Sequence, residues 1–313
     1  ENDEDIHFTA LQKHDLNLLL QKQYSLIQWE QGSGKTLAGI ATGTYRMQRQ
    51  NAFCTWVISP AISIKNTWEV ALQNYDISYT IINKAADVDK IQQGDFVLAT
   101  LNMLCKYRKQ IKRWIRIHNQ KVAFCFDESD EMANPDSKRA KAALSCFRRC
   151  KYKLLMTGTT TRNNISEFAP QLEMLYNNSY NMISWAKTVY RFSRGSKKEE
   201  PGLHEDNNIL YGRPIPAYKK GYSLFSASHL PAKITVFGAE QRTQDIYNAD
   251  VLNDILAHTV ITRTFEEITG KDIKHIHQIP VRFSEPEKEV YQKAISEFHA
   301  MRGNYFASTG NSR

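Results

Sequence analysis

Short apolar runs alternate with longer helix-like segments along the first half of the chain. The runs at 24–29, 53–59, 95–100, 121–126 and 153–157 are apolar, β-branched or aromatic through most of their length. Between them, 36–50, 64–74, 102–118 and 137–147 read as helices, and 6–22 opens with a leucine stripe at 11, 16, 18, 19 and 20. Strands this apolar, joined by helices, predict a parallel sheet covered on both faces. Ligands of such sheets bind beyond the C-terminal strand ends, so the residues after each run are the first candidates for chemistry.

The alternation stops near residue 190. Segment 192–238 holds five of the chain's 14 glycines and four of its 9 prolines, which predicts a loop-rich insertion in place of further core. Helical character is expected again from about 241 to 265. A further helix is expected over 285–301, introduced by Ser284 with Pro286 in its first turn. The division expected is a core at 1–176, a protrusion at 177–262, and a return to the core from 263 to 313.

Composition narrows the class without naming a function. Apolar residues make up 42% and charged residues 24% of 313, as in a soluble globular protein. No apolar run approaches the ~18 residues of a membrane span. The acidic start Glu1-Asn2-Asp3-Glu4-Asp5 is not a signal peptide, and the missing initiator Met suggests a piece of a longer chain. Cys54, Cys105, Cys125, Cys146 and Cys150 form no CxxC pair, so reduced thiols and a cytoplasmic or nucleoid-associated setting are expected. Cys146 and Cys150 lie one helical turn apart, and we read them as a buried helix face over a metal pair. The net charge of +8 favours a polyanionic partner.

Three strand ends carry candidate chemistry. After the first run, Gly32-Ser33-Gly34-Lys35-Thr36 has the residues to hold a triphosphate. Glycines let backbone N–H groups turn to phosphate, Lys35 supplies positive charge, and Thr36 supplies a hydroxyl for Mg²⁺. Trp29 stands where the usual pattern opens with glycine. The run 121–126 ends in Asp127-Glu128; beside a phosphate loop Asp127 would hold Mg²⁺ and Glu128 would accept a proton from water. The run 153–157 ends in Thr157-Gly158-Thr159, a turn suited to sensing the γ-phosphate and relaying it.

These elements, in this order, resemble the first motor domain of superfamily 2 helicases, most closely the SWI/SNF-like DNA translocases. Further segments line up. Leu11-Gln12-Lys13-His14-Asp15 is similar to the adenine-side motif, with Asp15 at the usual glutamine position and Gln12 as a substitute. Val57-Ile58-Ser59-Pro60 with Lys65-Asn66-Thr67-Trp68, and Phe96 to Asn102, resemble the motifs that touch the DNA backbone. Asn134, Ser137 and Arg139 fit the continuation after the carboxylates, as do Arg162-Asn163-Asn164 after the threonine turn, where Thr160 replaces the usual proline. Ile261-Thr262-Arg263-Thr264 resembles the stretch before the linker to a second lobe.

The resemblance implies an α/β fold, a three-layer RecA-like P-loop NTPase domain with a mostly parallel sheet and a helical or irregular insertion. It implies ATP and Mg²⁺ as cofactors, with Gly32, Ser33, Gly34, Lys35, Thr36, Gln12 and Asp15 around the nucleotide. Thr36 and Asp127 would serve the metal, largely through water, and Asp127, Glu128 and Lys35 the chemistry. Pro60, Lys65, Thr100 and Asn102 would touch nucleic acid, and Thr157, Gly158 and Thr159 would couple the two sites. Double-stranded DNA, a second motor lobe in the same full-length chain and a monomeric state are the expected partners and assembly. No later arginine pair is visible, so the chain as given is expected to bind ATP and hydrolyse it poorly. The alternatives are a helicase of the same superfamily acting on RNA or unwinding duplexes, and a nucleotide-gated clamp without turnover.

Two basic clusters add candidate phosphate contacts without sequence readout. One runs from Lys106 to Lys121, and the other includes Lys138, Arg139, Lys141, Arg148 and Arg149. In the insertion, Tyr211, Tyr218, Lys219, Lys220, Tyr222 and Phe225 either stack on bases or pack a long loop onto the core; packing is the reading taken. His204 and His229 are read as structural or solvated.

Overall fold

The computed structural model describes residues 8–118, 121–159, 165–177, 183–186, 188–193, 203–205, 208–214, 221–234, 240–242, 246–271 and 283–308. The chain divides into two compact units, Glu1–Asp272 and Ile273–Arg313.

In the first unit α1 (Ala10–Gln21) leads into β1 (Tyr24–Trp29), and α2 (Lys35–Gln50) into β2 (Thr55–Ile58). A helical stretch follows: α3 (Ala61–Ser63), a π-turn over Ile64–Trp68, and α4 (Glu69–Asn74). Then come β3 (Tyr79–Ile81), β4 (Phe96–Ala99), α5 (Leu101–Lys106), α6 (Arg108–Ile117), β5 (Ala123–Asp127), α7 (Lys138–Phe147), β6 (Tyr152–Thr157) and α8 (Ala169–Tyr176). Later strands are β7 (Thr188–Ser193), β8 (Leu203–Glu205), β9 (Asn208–Pro214), β10 (Ala232–Ile234), β11 (Glu240–Arg242) and β12 (Val260–Arg263).

Seven strands form one sheet in the order β12-β1-β6-β5-β2-β4-β3, with every pairing parallel. The α/β alternation thus builds the sheet its hydrophobic pattern predicted. Within β5, Phe124 and Phe126 join the core on one face with Trp56 and Phe147, while Cys125 joins the other with Val57, Trp68 and Met156. Successive side chains point to opposite faces, so an unbroken apolar run is what burial on both sides requires.

Helix α2 lies close on the sheet because two glycines face it. A Cβ on Gly39 would come within 2.7 Å of the Trp68 ring, and one on Gly43 within 2.8 Å of Phe96 and Thr55. Arg46 of the same helix is 3% exposed and closes the end of α1, donating to the carbonyls of Leu20 at 3.1 Å and Leu19 at 2.9 Å, and to that of Lys22. These are the orphan carbonyls that every helix C-terminus leaves.

Four expectations need correction. Strands β3 and β12 are absent from the sequence reading. They are the two edges of the sheet, only partly buried, and carry polar residues, so neither shows a continuous apolar run. Because β12 begins at Val260, the core resumes inside the span assigned to the protrusion, 177–262. The insertion at 192–238 is not simply irregular: β7-β9-β8 form an antiparallel sheet and β10-β11 a second, with a helix at Gly221–His229. Backbone hydrogen bonds hold these strands, and Gly212 and Pro214 lie within β9 itself. The expected helix at 102–118 is also broken in two at Tyr107.

In the second unit the helix Glu285–Ser308 starts where Ser284 and Pro286 predicted, with the Ser284 N–H and hydroxyl both donating to Glu287 Oε2 at 2.8 Å. Among the described residues no helix is long and apolar enough to cross a membrane.

Candidate nucleotide site and adjoining groove

Strand β1 ends at Trp29 and α2 begins at Lys35, so Glu30–Gly34 forms a tight loop at a helix N-terminus. Gly34 (φ 82°) and Gly32 (φ 81°) adopt the left-handed conformation that a side chain disfavours. Gln12 closes over the loop, its Nε2 donating to the Ser33 carbonyl at 3.0 Å. Gln12 is fixed by a capping box, Oε1 accepting from Thr9 N at 2.8 Å while Thr9 Oγ1 accepts from Gln12 N at 3.3 Å. The Ser33 hydroxyl is buried and has no hydrogen-bond partner among the described residues. Thr36 lies half-buried in the first turn of α2.

Lys35 Nζ donates to the carbonyls of Trp29 at 2.8 Å and Glu30 at 3.1 Å. Burial lowers its pKa, and the charges of Glu128 and Asp127 oppose that shift. The lysine of the first strand end therefore lies in the field of both carboxylates of another, and β6, carrying Thr157, runs between their strands.

Asp127 is the last residue of β5 and 7% exposed. One oxygen, Oδ2, accepts two hydrogen bonds, from Ser59 Oγ at 2.9 Å and from the Trp68 indole Nε1 at 3.0 Å. Glu128 follows with φ 53°, turning the chain sharply into a 3₁₀ turn at Ser129–Met132. In that turn Asp130 accepts from Thr157 Oγ1 at 3.1 Å, and Thr159 N donates back to Thr157 Oγ1 at 3.0 Å. The threonine turn of β6 is thereby tied to the acidic turn of β5, with Gly158 at its tip.

Asp15 does not turn to this loop. It is 0% exposed and takes a bidentate pair from Arg263, Nε to Oδ2 at 2.9 Å and Nη2 to Oδ1 at 2.8 Å. Its oxygens brace β12, and of the two residues expected near the adenine Gln12 is the one bonded to the loop. The same region braces the loop directly. Glu30 Oε2 accepts from Phe265 N at 2.7 Å, Glu30 N donates to the Arg263 carbonyl at 3.1 Å, and a Cβ on Gly32 would lie 3.2 Å from the Phe265 ring. Ser59, Trp68, Glu30 and Phe265 were not singled out as site residues from sequence; their partners are distant along the chain, so no local spacing marks them.

Beside this site lies a groove of about 570 Å³ whose lining includes Pro60, Lys65, Thr100 and Asn102, the four residues expected at nucleic acid. Ser59 and Arg139 line it too. Thr100 Oγ1 caps α5, accepting from Met103 N at 3.2 Å. Arg139 donates to Asn102 Oδ1 at 3.2 Å and lies 3.8 Å from Glu131. Asn134 and Ser137 serve the backbone, accepting from Asp136 N at 2.9 Å and Ala140 N at 3.1 Å.

The two basic clusters meet at a second cavity of about 490 Å³, lined by Lys112, Arg116, Lys141, Arg148 and Arg149, with Glu173 paired to Arg148 at 3.1 Å. Cys146 and Cys150 are buried, with thiol pKa values pushed up to about 11 and about 12 chiefly by burial, and no metal-holding cluster occurs among the described residues. His229 is structural: it is 0% exposed, with Nδ1 against the Tyr247 carbonyl at 2.9 Å. Phe225 is fully buried. Thr160, Arg162, Asn163, Asn164, Tyr218, Lys219 and Lys220 lie outside the described residues.

The SNF2-related domain family matches residues 12–312. The chain belongs to this family. Among curated relatives, the transcription regulatory protein SNF2 of Saccharomyces cerevisiae is 26% identical over 199 residues, covering 59% of this chain and 11% of the relative. The SWI/SNF chromatin-remodeling complex subunit snf22 of Schizosaccharomyces pombe is 25% identical over 194 residues, covering 58% of this chain and 11% of the relative. The chain spans about a tenth of the length of these curated relatives. A solved structure described as the Sulfolobus solfataricus SWI2/SNF2 ATPase core in complex with dsDNA aligns with TM-score 0.53 and 19% identity, over 83% of this chain and 45% of that one. At that identity it supports the RecA-like fold.

Proposed function

We propose that this SNF2-related domain binds ATP with Mg²⁺ and serves a motor that hydrolyses ATP to move along double-stranded DNA. The observation that carries the proposal is the convergence of Lys35 with Asp127 and Glu128 from the ends of β1 and β5, on either side of β6, beside a groove holding the four expected nucleic-acid residues.

The residues fit the nucleotide and the metal. Two left-handed glycines leave the backbone N–H groups of the loop open at positions 32 and 34, the buried Ser33 hydroxyl has no partner among the described residues, and Lys35 is a half-buried cation. Thr36 and Asp127 supply the oxygen donors that Mg²⁺ takes. The ion, when bound, neutralises charge on the phosphates. Lys35 would exchange its two carbonyl partners for phosphate oxygens. Glu128, aimed by its left-handed backbone, would orient water and take its proton. Ser59 and Trp68 hold Asp127 in one orientation, and the Thr157–Asp130 bond is the path by which nucleotide state would reach the rest of the site.

The test is ATP turnover by the full-length protein with double-stranded DNA, single-stranded RNA or neither. Duplex stimulation abolished by Glu128→Gln is expected. Stimulation by RNA alone would favour the RNA-helicase alternative. ATP binding without turnover under any condition would sink the hydrolytic assignment and leave the nucleotide-gated clamp, whereas turnover unchanged in Glu128→Gln would overturn the role given to Glu128.

A further inference from the structure

Asp127 is held by the same ten-residue stretch that lines the groove. Ser59 donates to Oδ2 from the start of that stretch and Trp68 from its end, while Pro60, Ile64 and Lys65 between them face the groove. The π-turn makes this double duty possible. Residues three apart share a face of an α-helix, yet Lys65 is exposed to the groove and Trp68 is 0% exposed beneath it. The wider turn, closed by Glu69 N donating to the Ile64 carbonyl, separates the two directions. Single π-turns inside helices recur at functional sites.

The indole has no room to swing. Its ring tip lies 2.7 Å from where a Cβ on Gly39 would stand, so it fills the gap between α2 and the sheet. A shift of the groove segment must then displace Nε1, and with it the carboxylate. The route is separate from the Thr157–Asp130 contact, which leaves Asp127 untouched.

We propose that Trp68 is a positioning residue through which a duplex in the groove sets the Asp127 carboxylate, so that duplex binding and Mg²⁺-nucleotide binding strengthen one another. This rests on the nucleotide and duplex assignment above. Coupling between sites is reciprocal, so it is readable in affinities without turnover.

The experiment measures the affinity of the full-length protein for a fluorescein-labelled DNA duplex, by anisotropy, with and without AMP-PNP and Mg²⁺. For the unaltered protein a strengthening of roughly 5- to 150-fold is expected, the usual range of such coupling. Trp68→Phe keeps an aromatic ring and removes the donor. It should bind the duplex alone as the unaltered protein does, with the strengthening reduced to about 1-fold. Should Trp68→Phe fail to fold, Ser59→Ala removes the other hydrogen bond with little loss of volume and should reduce the coupling as well. Full coupling in a folded variant overturns the inference and leaves the proposed function standing. Equal loss of duplex affinity with and without nucleotide also overturns it, as a merely structural effect. No duplex binding by the unaltered protein removes the proposed function and the inference together.

Discussion

Arg263 and Asp15, 248 residues apart, form a two-pronged ion pair that ties the edge strand β12 to α1. The aspartate is fully buried while the arginine side chain remains 26% exposed. The hydrogen bonds that Arg263 donates to Asp15, more than the charge of Asp15, hold the guanidinium more firmly protonated than usual. Removing one partner strands a buried charge, whereas removing both does not. Arg263→Ala should lower stability by on the order of 3 kcal/mol in urea unfolding. The double variant Asp15→Leu/Arg263→Met should regain much of that loss; if it is as unstable as Arg263→Ala, the stranded-charge account is wrong.

The glycine at 34 is a second test of the loop. A Cβ there would stand 2.8 Å from Gln12 Nε2, on a backbone with φ 82°. The left-handed conformation alone costs an L-residue roughly 1–2 kcal/mol. Gly34→Ala should weaken nucleotide affinity by about tenfold or more, since ~1.4 kcal/mol is a factor of ten. Gln12→Ala added to it relieves the clash but not the backbone strain, so titration of a fluorescent ATP analogue should show partial recovery. Full recovery would place the whole effect on the contact with Gln12.

Lys65 and Asn102 line the same groove with different chemistry. A lysine at a phosphate releases counterions; a neutral amide does not. Lys65→Ala should reduce the slope of log affinity for duplex against log salt by about 1. Asn102→Ala should weaken binding without changing the slope. Anisotropy titrations across a salt series check both, and an unchanged slope in Lys65→Ala places that residue off the backbone path.

Lys153 titrates within the sheet. It is 6% exposed, donates to the Arg148 carbonyl at 2.8 Å, and burial lowers its pKa from 10.5 to about 8. Below about 8 both folded and unfolded chains carry this proton, and burying the charge costs on the order of 3 kcal/mol. Between about 8 and 10.5 the unfolded chain holds more of it, so this group makes stability rise with pH. Above that window the penalty is gone. Lys153→Met should be the more stable protein at neutral pH, with its advantage shrinking by about pH 10 in urea unfolding. A constant difference across the window refutes the assignment.

The buried strands and their ends were legible because each carries its own local signal. The run 24–29 matches β1 in both bounds, and 121–126 with Asp127 covers β5. Glycines at 32 and 34 are required by a backbone conformation, and that requirement shows in the sequence. The edge strands were not legible, since partial burial leaves no continuous apolar run. The bonds that fix site geometry were hidden for a different reason. Trp68 reaches Asp127 across 59 positions and Thr157 reaches Asp130 across 27, distances at which no spacing rule applies. Asp15 shows the limit from the other side: its place in a motif suggested a ligand contact, and its burial beside Arg263 gives it a different partner.

The pairing of β12 with β1 bears on how the protein is made. Leu26 to Trp29 and Val260 to Arg263 lie side by side in the sheet, although the first emerges from the ribosome long before the second. Until then the Glu30–Gly34 loop lacks the Glu30–Phe265 contact, and β1 exposes an unpaired edge. Non-local pairings of this kind slow folding and leave sticky edges open during synthesis. Between the synthesis of β1 and that of β12 the nascent chain therefore carries the Glu30–Gly34 turn without this support, and that interval is when it most needs a chaperone.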